Sequence, residues 1–186
     1  MGLYQLCHSI SEEPGTNLVG FHRRIVAVAK IDLDELYACG IRGVILDLDN
    51  TVVSEDDCYL SPGAELWIQQ AKLQGLKFFI LSNGKRRARL QSWSYRLDIA
   101  ALGRARKPSP LAFRKAFAQL QLKPRQTVVI GDSLHTDVVG AMLSGCSSIQ
   151  VASLPHPARW WEKLLGRWIH YPYPSELELW PLDSSG

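Results

Sequence analysis

An apolar run that ends in two aspartates is the feature that most constrains the fold of this chain. Residues 43–46 are Gly-Val-Ile-Leu, followed directly by Asp47, Leu48 and Asp49. Such a run is typical of a strand that is buried on both faces of a parallel sheet. Because buried carboxylates without partners cost free energy, a strand that ends on two of them is expected to deliver them to a cation and a reaction. The sequence therefore predicts a chemical site at the carboxyl end of this strand.

Helices and strands alternate along the rest of the chain. The hydrophobic pattern predicts helices over about 32–39, 62–74, 85–95, 110–120 and 137–145, and strands over about 42–48, 76–81, 99–102, 127–130 and 148–151. This alternation predicts the α/β class, as a single Rossmann-like domain with a parallel sheet and helices on both faces. Ligands of such sheets bind beyond the carboxyl ends of the strands, where Asp47, Asp49, Ser82 and Asp132 stand.

Composition restricts the class of protein and its location. The 186 residues are 46% hydrophobic and 21% charged, which is typical of a folded soluble protein, and the net charge of +3 gives no reason to expect nucleic acid as a partner. The four cysteines form no CxxC pair, so we expect reduced thiols in the cytoplasm. No signal peptide and no apolar stretch of about 20 residues is present, so any membrane contact would be peripheral, on the inner face.

Two local patterns favour a charged or interfacial partner. Residues 85–107 carry eight basic residues and one acid, a net charge of +7, which suits either an anionic substrate or membrane surface, or a solvated helix face. Residues 157–170 place apolar pairs at 160–161, 164–165 and 168–169 beside basic residues. That stripe predicts an amphipathic helix that lies on a membrane or packs against the domain or another subunit. The acidic loop at 55–57 is either solvated or a second cation site.

Four polar motifs occur in a fixed order, each at a predicted strand end or helix start. They are Asp47-Leu48-Asp49, Ser82-Asn83, Lys107-Pro108, and Gly131-Asp132 continuing to Asp137. This ordered set, over residues 41–152, resembles the motifs of the haloacid dehalogenase (HAD) superfamily. Only 35 residues separate Asp47 from Ser82 and 25 separate Ser82 from Lys107, which leaves no room for an inserted cap domain. With residues 31–36 and 40–43 ahead of the first motif, the chain is similar to the capless subclass IIIA and its YqeG-like group.

The resemblance implies a catalytic role for both aspartates of the first motif. Asp47 would be the nucleophile that forms an aspartyl-phosphate, and Asp49 would protonate the leaving oxygen and then activate water. Ser82, Asn83 and Lys107 would bind the phosphate and offset its charge. Taken alone, the Ser82-Asn83-Gly84 segment would be an ordinary turn and Lys107 a surface lysine.

The resemblance also implies a Mg²⁺ cofactor, because carboxylate oxygens suit this hard cation. Asp47, the backbone carbonyl of Asp49, and Asp132 would hold the metal. Asp137 would orient metal-bound water or Lys107; the alternative is that it caps the helix that it begins.

The function implied is a Mg²⁺-dependent phosphomonoester hydrolase. The YqeG-like group includes phosphatases that convert phosphatidylglycerophosphate to phosphatidylglycerol, so a lipid head group and an anionic membrane surface are the expected partners. The sequence leaves the oligomeric state open. The alternatives are a capless phosphatase of a phosphoprotein, nucleotide or sugar phosphate, and a non-catalytic HAD-fold scaffold. The predicted organisation is an N-terminal lead of unknown structure (1–30), a catalytic domain (31–156), and a C-terminal amphipathic helix and tail (157–186).

Overall fold

A parallel sheet of seven strands organises the chain in this computed structural model, which describes residues 20–157 and 169–182. The strands are β1 (His22–Ile25), β2 (Gly43–Leu46), β4 (Lys77–Leu81), β5 (Ala101–Leu102), β6 (Thr127–Gly131), β7 (Ser147–Ser153) and β8 (Tyr171–Pro172). Their order is β1-β7-β6-β2-β4-β5, and β8 pairs with the carboxyl end of β7. A separate antiparallel pair joins β3 (Tyr59–Leu60) to β9 (Trp180–Pro181). Of the three strands that end at predicted motifs, β2 therefore lies between β6 and β4.

Helices connect the strands as the sequence predicts. They are α1 (Leu33–Ala38), α2 (Ala64–Leu73), α3 (Arg87–Leu97), α4 (Pro110–Leu120) and α5 (Val139–Ser144). Asp32 caps α1 by accepting from the backbone N–H groups of Asp34 and Glu35 at 2.9 and 3.2 Å. The predicted helix over 137–145 divides into a π-helical turn, Leu134–Val138, and α5. The predicted α/β class is confirmed.

The buried core lies on both faces of the sheet. On β2, Val44 and Leu46 belong to one apolar cluster, which also contains Trp67 of α2. Ile45 belongs to a second cluster on the opposite face, which contains Phe113 of α4. Since β2 is covered on both sides, its continuous apolar run follows directly from its central place in the sheet.

The sheet takes strands from beyond residues 31–156 at both ends. β1 pairs in parallel with β7, and β8 follows from the C-terminal segment. Residues 158–168, which hold most of the predicted stripe at 157–170, lie outside the described residues, as do residues 1–19. Cys39 is disulfide-bonded, so the expectation of reduced thiols is wrong for this cysteine, whereas Cys58 and Cys146 are free. Within the described ranges, every helix is too short or too polar to cross a bilayer.

The connections between the motifs are short. From residue 47 to residue 82 the chain forms only β3, α2 and β4 with their loops, and from 82 to 107 it forms only α3 and β5. No further folded unit is inserted in these two described intervals. The carboxyl edge of β2, β4 and β6 is therefore left open on the side where the motifs end.

Candidate active site

The carboxyl ends of β2, β4 and β6 meet at one cavity of about 630 Å³. The predicted site residues all line it: Asp47, Asp49, Ser82, Asn83, Lys107, Asp132 and Asp137. Parallel strands end at the same edge of a sheet, which explains why residues as far apart in sequence as Asp47 and Asp132 come together here. The fold thus brings the residues predicted from the sequence together in one cavity.

Three carboxylates and one ammonium group form the buried floor of this cavity. Asp47, Asp132 and Asp137 each place one carboxylate oxygen within 4.8 Å of the others. The Nζ atom of Lys107 contacts Asp47 Oδ1 and lies 2.6 Å from Asp137 Oδ1. The side chain of Lys107 is only 2% exposed, so its ammonium group is largely shielded from bulk water.

Burial and neighbouring charges shift the pKa values in this network. Burial raises the pKa of Asp47 well above its usual value; Lys107 opposes this shift, while Asp137, Asp132 and Asp49 add to it. Burial likewise raises the pKa of Asp137. Burial acts to lower the pKa of Lys107, but Asp137 and Asp47 raise it above its usual value. Three carboxylates around a single ammonium make a donor set that fits a hard divalent cation.

Residues that were not predicted as part of the site contact Asp132. Ser153 of β7 donates a hydrogen bond to Asp132 Oδ2 at 2.6 Å, and His170 Nδ1 lies 3.0 Å from the same oxygen. Gln150 of β7 donates from Nε2 to the backbone carbonyl of Asp132 at 2.9 Å and to that of Ile169 at 3.1 Å. Gln150 therefore ties the returning C-terminal segment to the site. The polar residues within the β7 segment were the sequence signal that could have indicated these contacts.

A second histidine, His135, also borders the cavity. It belongs to the π-helical turn after β6, and its Nδ1 atom lies 2.8 Å from Ser133 Oγ. The rings of His135 and His170 meet edge to face with centroids 6.4 Å apart. Asp137, in the same turn, accepts from the backbone N–H of Ser133 at 3.3 Å and from Thr136 Oγ1 at 3.1 Å. The turn thus fixes Asp137 over the end of β6.

Asp49 contacts a set of residues different from the partners of the buried carboxylates. Its Oδ2 atom accepts a hydrogen bond from Ser82 Oγ at 2.9 Å, and its Oδ1 atom contacts Nη1 of Arg89. Arg89 also donates from Nε to Asp57 at 2.7 Å. The three side chains that could hold a metal are Asp47, Asp132 and Asp137, and the side chain of Asp49 is not among them. The predicted metal role of the Asp49 backbone carbonyl stays a prediction.

Asn83 positions the segment that carries Lys107. Its Oδ1 atom accepts from the backbone N–H of Lys107 at 2.8 Å, and its Nδ2 atom donates to the Lys107 carbonyl at 3.1 Å. The side-chain amide is therefore committed to the protein. A phosphate contact from this residue, which stays a prediction, would have to come from its backbone.

The acidic loop at 55–57 is tied to α3 through Asp57. Besides the pair with Arg89, Asp57 lies 3.8 Å from Arg86 Nη1 and 3.4 Å from Trp93 Nε1. Asp56 instead accepts from Ser54 Oγ at 2.6 Å within the loop. The loop thus borders the cavity through Glu55 and pairs through Asp57 with the helix that follows the Ser82 motif.

Gly84 is required by close packing in this cavity. A Cβ atom at this position would lie 2.9 Å from both Asp49 Oδ2 and Ser82 Oγ, well inside normal contact. We expect Gly84→Ala to displace Asp49 and to lower kcat/KM by roughly tenfold to a hundredfold, since small misplacements of reacting groups have effects of that order. Steady-state kinetics with a soluble phosphate ester measure this. Thermal unfolding should stay near that of the wild type; activity equal to the wild type would contradict the close packing.

Comparisons with known proteins relate the chain to hydrolases and phosphatases. A family model described as HAD-hydrolase-like matches residues 104–163. A protein named "Probable phosphatase YqeG" from Bacillus subtilis (strain 168) is 38% identical over 118 residues, which cover 63% of this chain and 68% of the relative. Glyceraldehyde 3-phosphate phosphatase from Pyrococcus furiosus is 26% identical over 96 residues, 47% of this chain and 40% of that relative.

The fold has relatives among solved structures. The crystal structure of 4-nitrophenylphosphatase from Thermotoga maritima superposes with a TM-score of 0.55 and 14% identity, covering 73% of this chain and 93% of that one. At this identity the likeness concerns the fold alone.

Proposed function

Because this chain belongs to the YqeG-like family of HAD phosphatases, we propose that it hydrolyses a phosphate monoester through a phosphorylated Asp47, with phosphatidylglycerophosphate as its substrate. The observation that carries the proposal is the buried group of Asp47, Asp132 and Asp137 around Lys107, with Asp49 two residues after Asp47. A non-catalytic scaffold is set aside, because the chain is a phosphatase by family and has these residues together.

The proposed reaction has two displacements at phosphorus. In the first, a carboxylate oxygen of Asp47 bonds to phosphorus, the bond to the leaving oxygen breaks, and Asp49 gives that oxygen a proton. In the second, Asp49 takes a proton from water and the water oxygen bonds to phosphorus. The bond between Asp47 and phosphorus breaks, and inorganic phosphate is released. Ser82 and Arg89 hold the carboxylate of Asp49 in place for both proton transfers. The ammonium of Lys107 offsets negative charge on the phosphoryl group.

Asp47, Asp132 and the backbone carbonyl of Asp49 would hold Mg²⁺, with Asp137 beside them. A bound Mg²⁺ supplies positive charge next to the phosphoryl oxygens. The fit rests on the donor set, which is three carboxylates in reach of one another with a single ammonium.

Removing one of these carboxylates should weaken Mg²⁺ binding by a measurable amount. We expect Asp132→Asn to raise the Mg²⁺ concentration for half-maximal activity by at least about tenfold, because a ligand of full charge is replaced by a neutral one. The rise in melting temperature on adding Mg²⁺ should shrink in parallel. Asp98→Asn removes the same charge from an exposed loop position and serves as the control. Equal Mg²⁺ dependence in the wild type and Asp132→Asn would refute this ligand assignment.

The lipid substrate is supported by the open edge of the sheet and by cations at the mouth. The intervals between the motifs hold no inserted unit, so a bulky ester has access. Lys85 and Arg86 are exposed and line the cavity beside Arg89. An open site with positive charge suits an anionic head group that stays anchored in a bilayer.

The test is a direct comparison of substrates with Mg²⁺ present. Phosphatidylglycerophosphate in mixed micelles is assayed against a panel of soluble esters that includes a phosphopeptide, a nucleotide and a sugar phosphate. We expect kcat/KM for the lipid to exceed that for every soluble ester by at least an order of magnitude. A soluble ester that is hydrolysed faster than the lipid would overturn the lipid proposal and leave the phosphatase chemistry standing.

A further inference from the structure

A second cavity adjoins the catalytic one along the edge of the sheet. It has a volume of about 510 Å³ and lies between α3 and the edge strand β5. It shares Gly84, Lys85 and Leu90 with the catalytic cavity, so the two adjoin at the segment that follows Ser82. Any substrate group that extends from the reacting phosphate in this direction would enter it.

Three cations of this cavity are uncommitted. The side chains of Lys85, Arg87 and Arg104 are exposed, and in the described part of the chain none of them forms an ion pair or a side-chain hydrogen bond. The neighbouring cations are occupied: Arg89 binds Asp49 and Asp57, Arg96 binds Glu65 at 2.6 Å, and Lys107 lies between two carboxylates. Among residues 20–157 and 169–182, no acidic residue lines the cavity. Of the four cations in the described segment 85–107 that have no such partner, three therefore line this cavity, and the fourth is Arg106.

The floor of the second cavity is apolar. It is formed by Leu90 of α3 and by Ala101, Leu102 and Gly103 at β5. A Cβ atom on Gly103 would lie 2.8 Å from Leu90 Cδ2, so glycine is what allows Leu90 to rest against the edge strand. The polar side chains of Gln91 and Ser94 complete the wall on α3. A cationic rim above an apolar floor fits a group that carries both an anion and a carbon skeleton.

We propose that this second cavity is a subsite for a second anionic group of the substrate, a phosphodiester, with the glycerol carbons that adjoin it on the apolar floor. The inference rests on the proposed function and gives it a selectivity determinant. Ser82 and Lys107 belong to the reacting phosphate, so they leave a second anion to Lys85, Arg87 and Arg104. Guanidinium groups bind phosphate oxygens in a forked geometry that suits this role.

Four esters separate the contribution of the second anion from that of the acyl chains. Phosphatidylglycerophosphate has both features, its deacylated form has only the second anion, phosphatidic acid has only the chains, and glycerol 3-phosphate has neither. The variant is Arg87→Gln with Arg104→Gln. The matched control is Arg114→Gln with Lys115→Gln, which removes two charges from exposed positions of α4.

The subsite predicts a selective loss. In the double variant, the ratio of kcat/KM for the deacylated two-anion ester to that for glycerol 3-phosphate should fall about tenfold, mainly through KM, because a hydrogen bond to a charged group is lost. The ratio of kcat/KM for phosphatidylglycerophosphate to that for phosphatidic acid should fall by the same factor. The control should leave both ratios unchanged. Each single variant should show part of the effect, so the subsite can still be tested if the double variant does not fold.

The failures of the two proposals are distinguishable. If wild-type protein does not hydrolyse the lipids, the proposed lipid function fails, and the deacylated pair still tests the subsite. If the double variant keeps both ratios, or loses activity equally on all four esters, the subsite is refuted and the proposed function stands. A third outcome is that the wild type prefers a phosphopeptide over the two-anion esters and that the double variant loses this preference. That result would assign the cavity to a peptide on the β5 edge and overturn the proposal.

Discussion

Asp47→Asn should lower kcat by at least about 10⁴-fold on every phosphate ester, since loss of a nucleophile has effects of that order. The amide has the shape of the carboxylate and can still accept a hydrogen bond from Lys107, so the cavity should keep its form. It lacks the anionic oxygen that bonds to phosphorus. Burial against Asp132 and Asp137 makes Asp47 the member of the first motif that lies within the charged floor.

The control for this variant is Asp98→Asn, in which an exposed aspartate near the end of α3 is changed in the same way. Its activity should equal that of the wild type, and both variants should keep the wild-type far-UV circular dichroism. Residual activity of Asp47→Asn within about a hundredfold of the wild type would mean that another group attacks phosphorus or that water attacks it directly.

Lys107→Met should have the largest effect on stability. The substitution leaves Asp47 and Asp137 buried without the ammonium that lies between them, and breaking a buried ion pair in this way costs roughly 3–5 kcal/mol of the free energy of unfolding. Urea denaturation of the metal-free protein measures this loss. Added Mg²⁺ should restore part of it, because the cation replaces the missing positive charge. Activity should be lost as well, since Lys107 offsets charge at the phosphoryl group.

The loss of stability should depend on pH in a defined direction. Burial raises the pKa of Asp47 and of Asp137, so each carboxyl binds its proton more tightly in the folded chain than in the unfolded chain. Lowering the pH through these raised pKa values therefore favours the folded state. The deficit of Lys107→Met should be greatest at alkaline pH and should shrink as the pH falls.

Lys72→Met provides the matched control for this series. Lys72 pairs with Asp98 at 2.8 Å, but Asp98 is 94% exposed at its side chain, so the pair is screened by water. This variant should unfold at nearly the wild-type urea concentration at every pH. A Lys107→Met protein as stable as Lys72→Met would show that the buried carboxylates do not depend on the ammonium.

The central strands could be predicted because they are buried on both faces. β2 and β6 are continuous apolar runs bounded by polar residues, and in a chain of alternating helices and strands this pattern is typical of the middle of a parallel sheet. β1, β3, β8 and β9 were not predicted. β3, β8 and β9 have only two residues each, and β1 has alternating exposure, so their pairing depends on contacts distant in sequence.

The predictable part of the site consists of residues at strand ends. Asp47, Ser82 and Asp132 follow apolar runs directly, so topology alone brings them together. Arg89 and His170 could not be placed in this way. Arg89 is one of several arginines in a helix whose rotation relative to the 55–57 loop is set by packing, and His170 arrives after a long connection. Their partners are 40 and 38 positions away in sequence, with no periodic pattern to relate them.

The claim that Asp47 carries the phosphoryl group can be tested by trapping the phosphorylated enzyme. Protein mixed with Mg²⁺ and a saturating substrate is quenched in acid, and the intact mass and peptic peptides are measured by mass spectrometry. We expect a fraction of molecules with the mass of one added phosphoryl group, located on Asp47 and absent from Asp47→Asn. A phosphoryl group on another residue, or turnover with no phosphorylated protein while Asp47→Asn stays active, would contradict it.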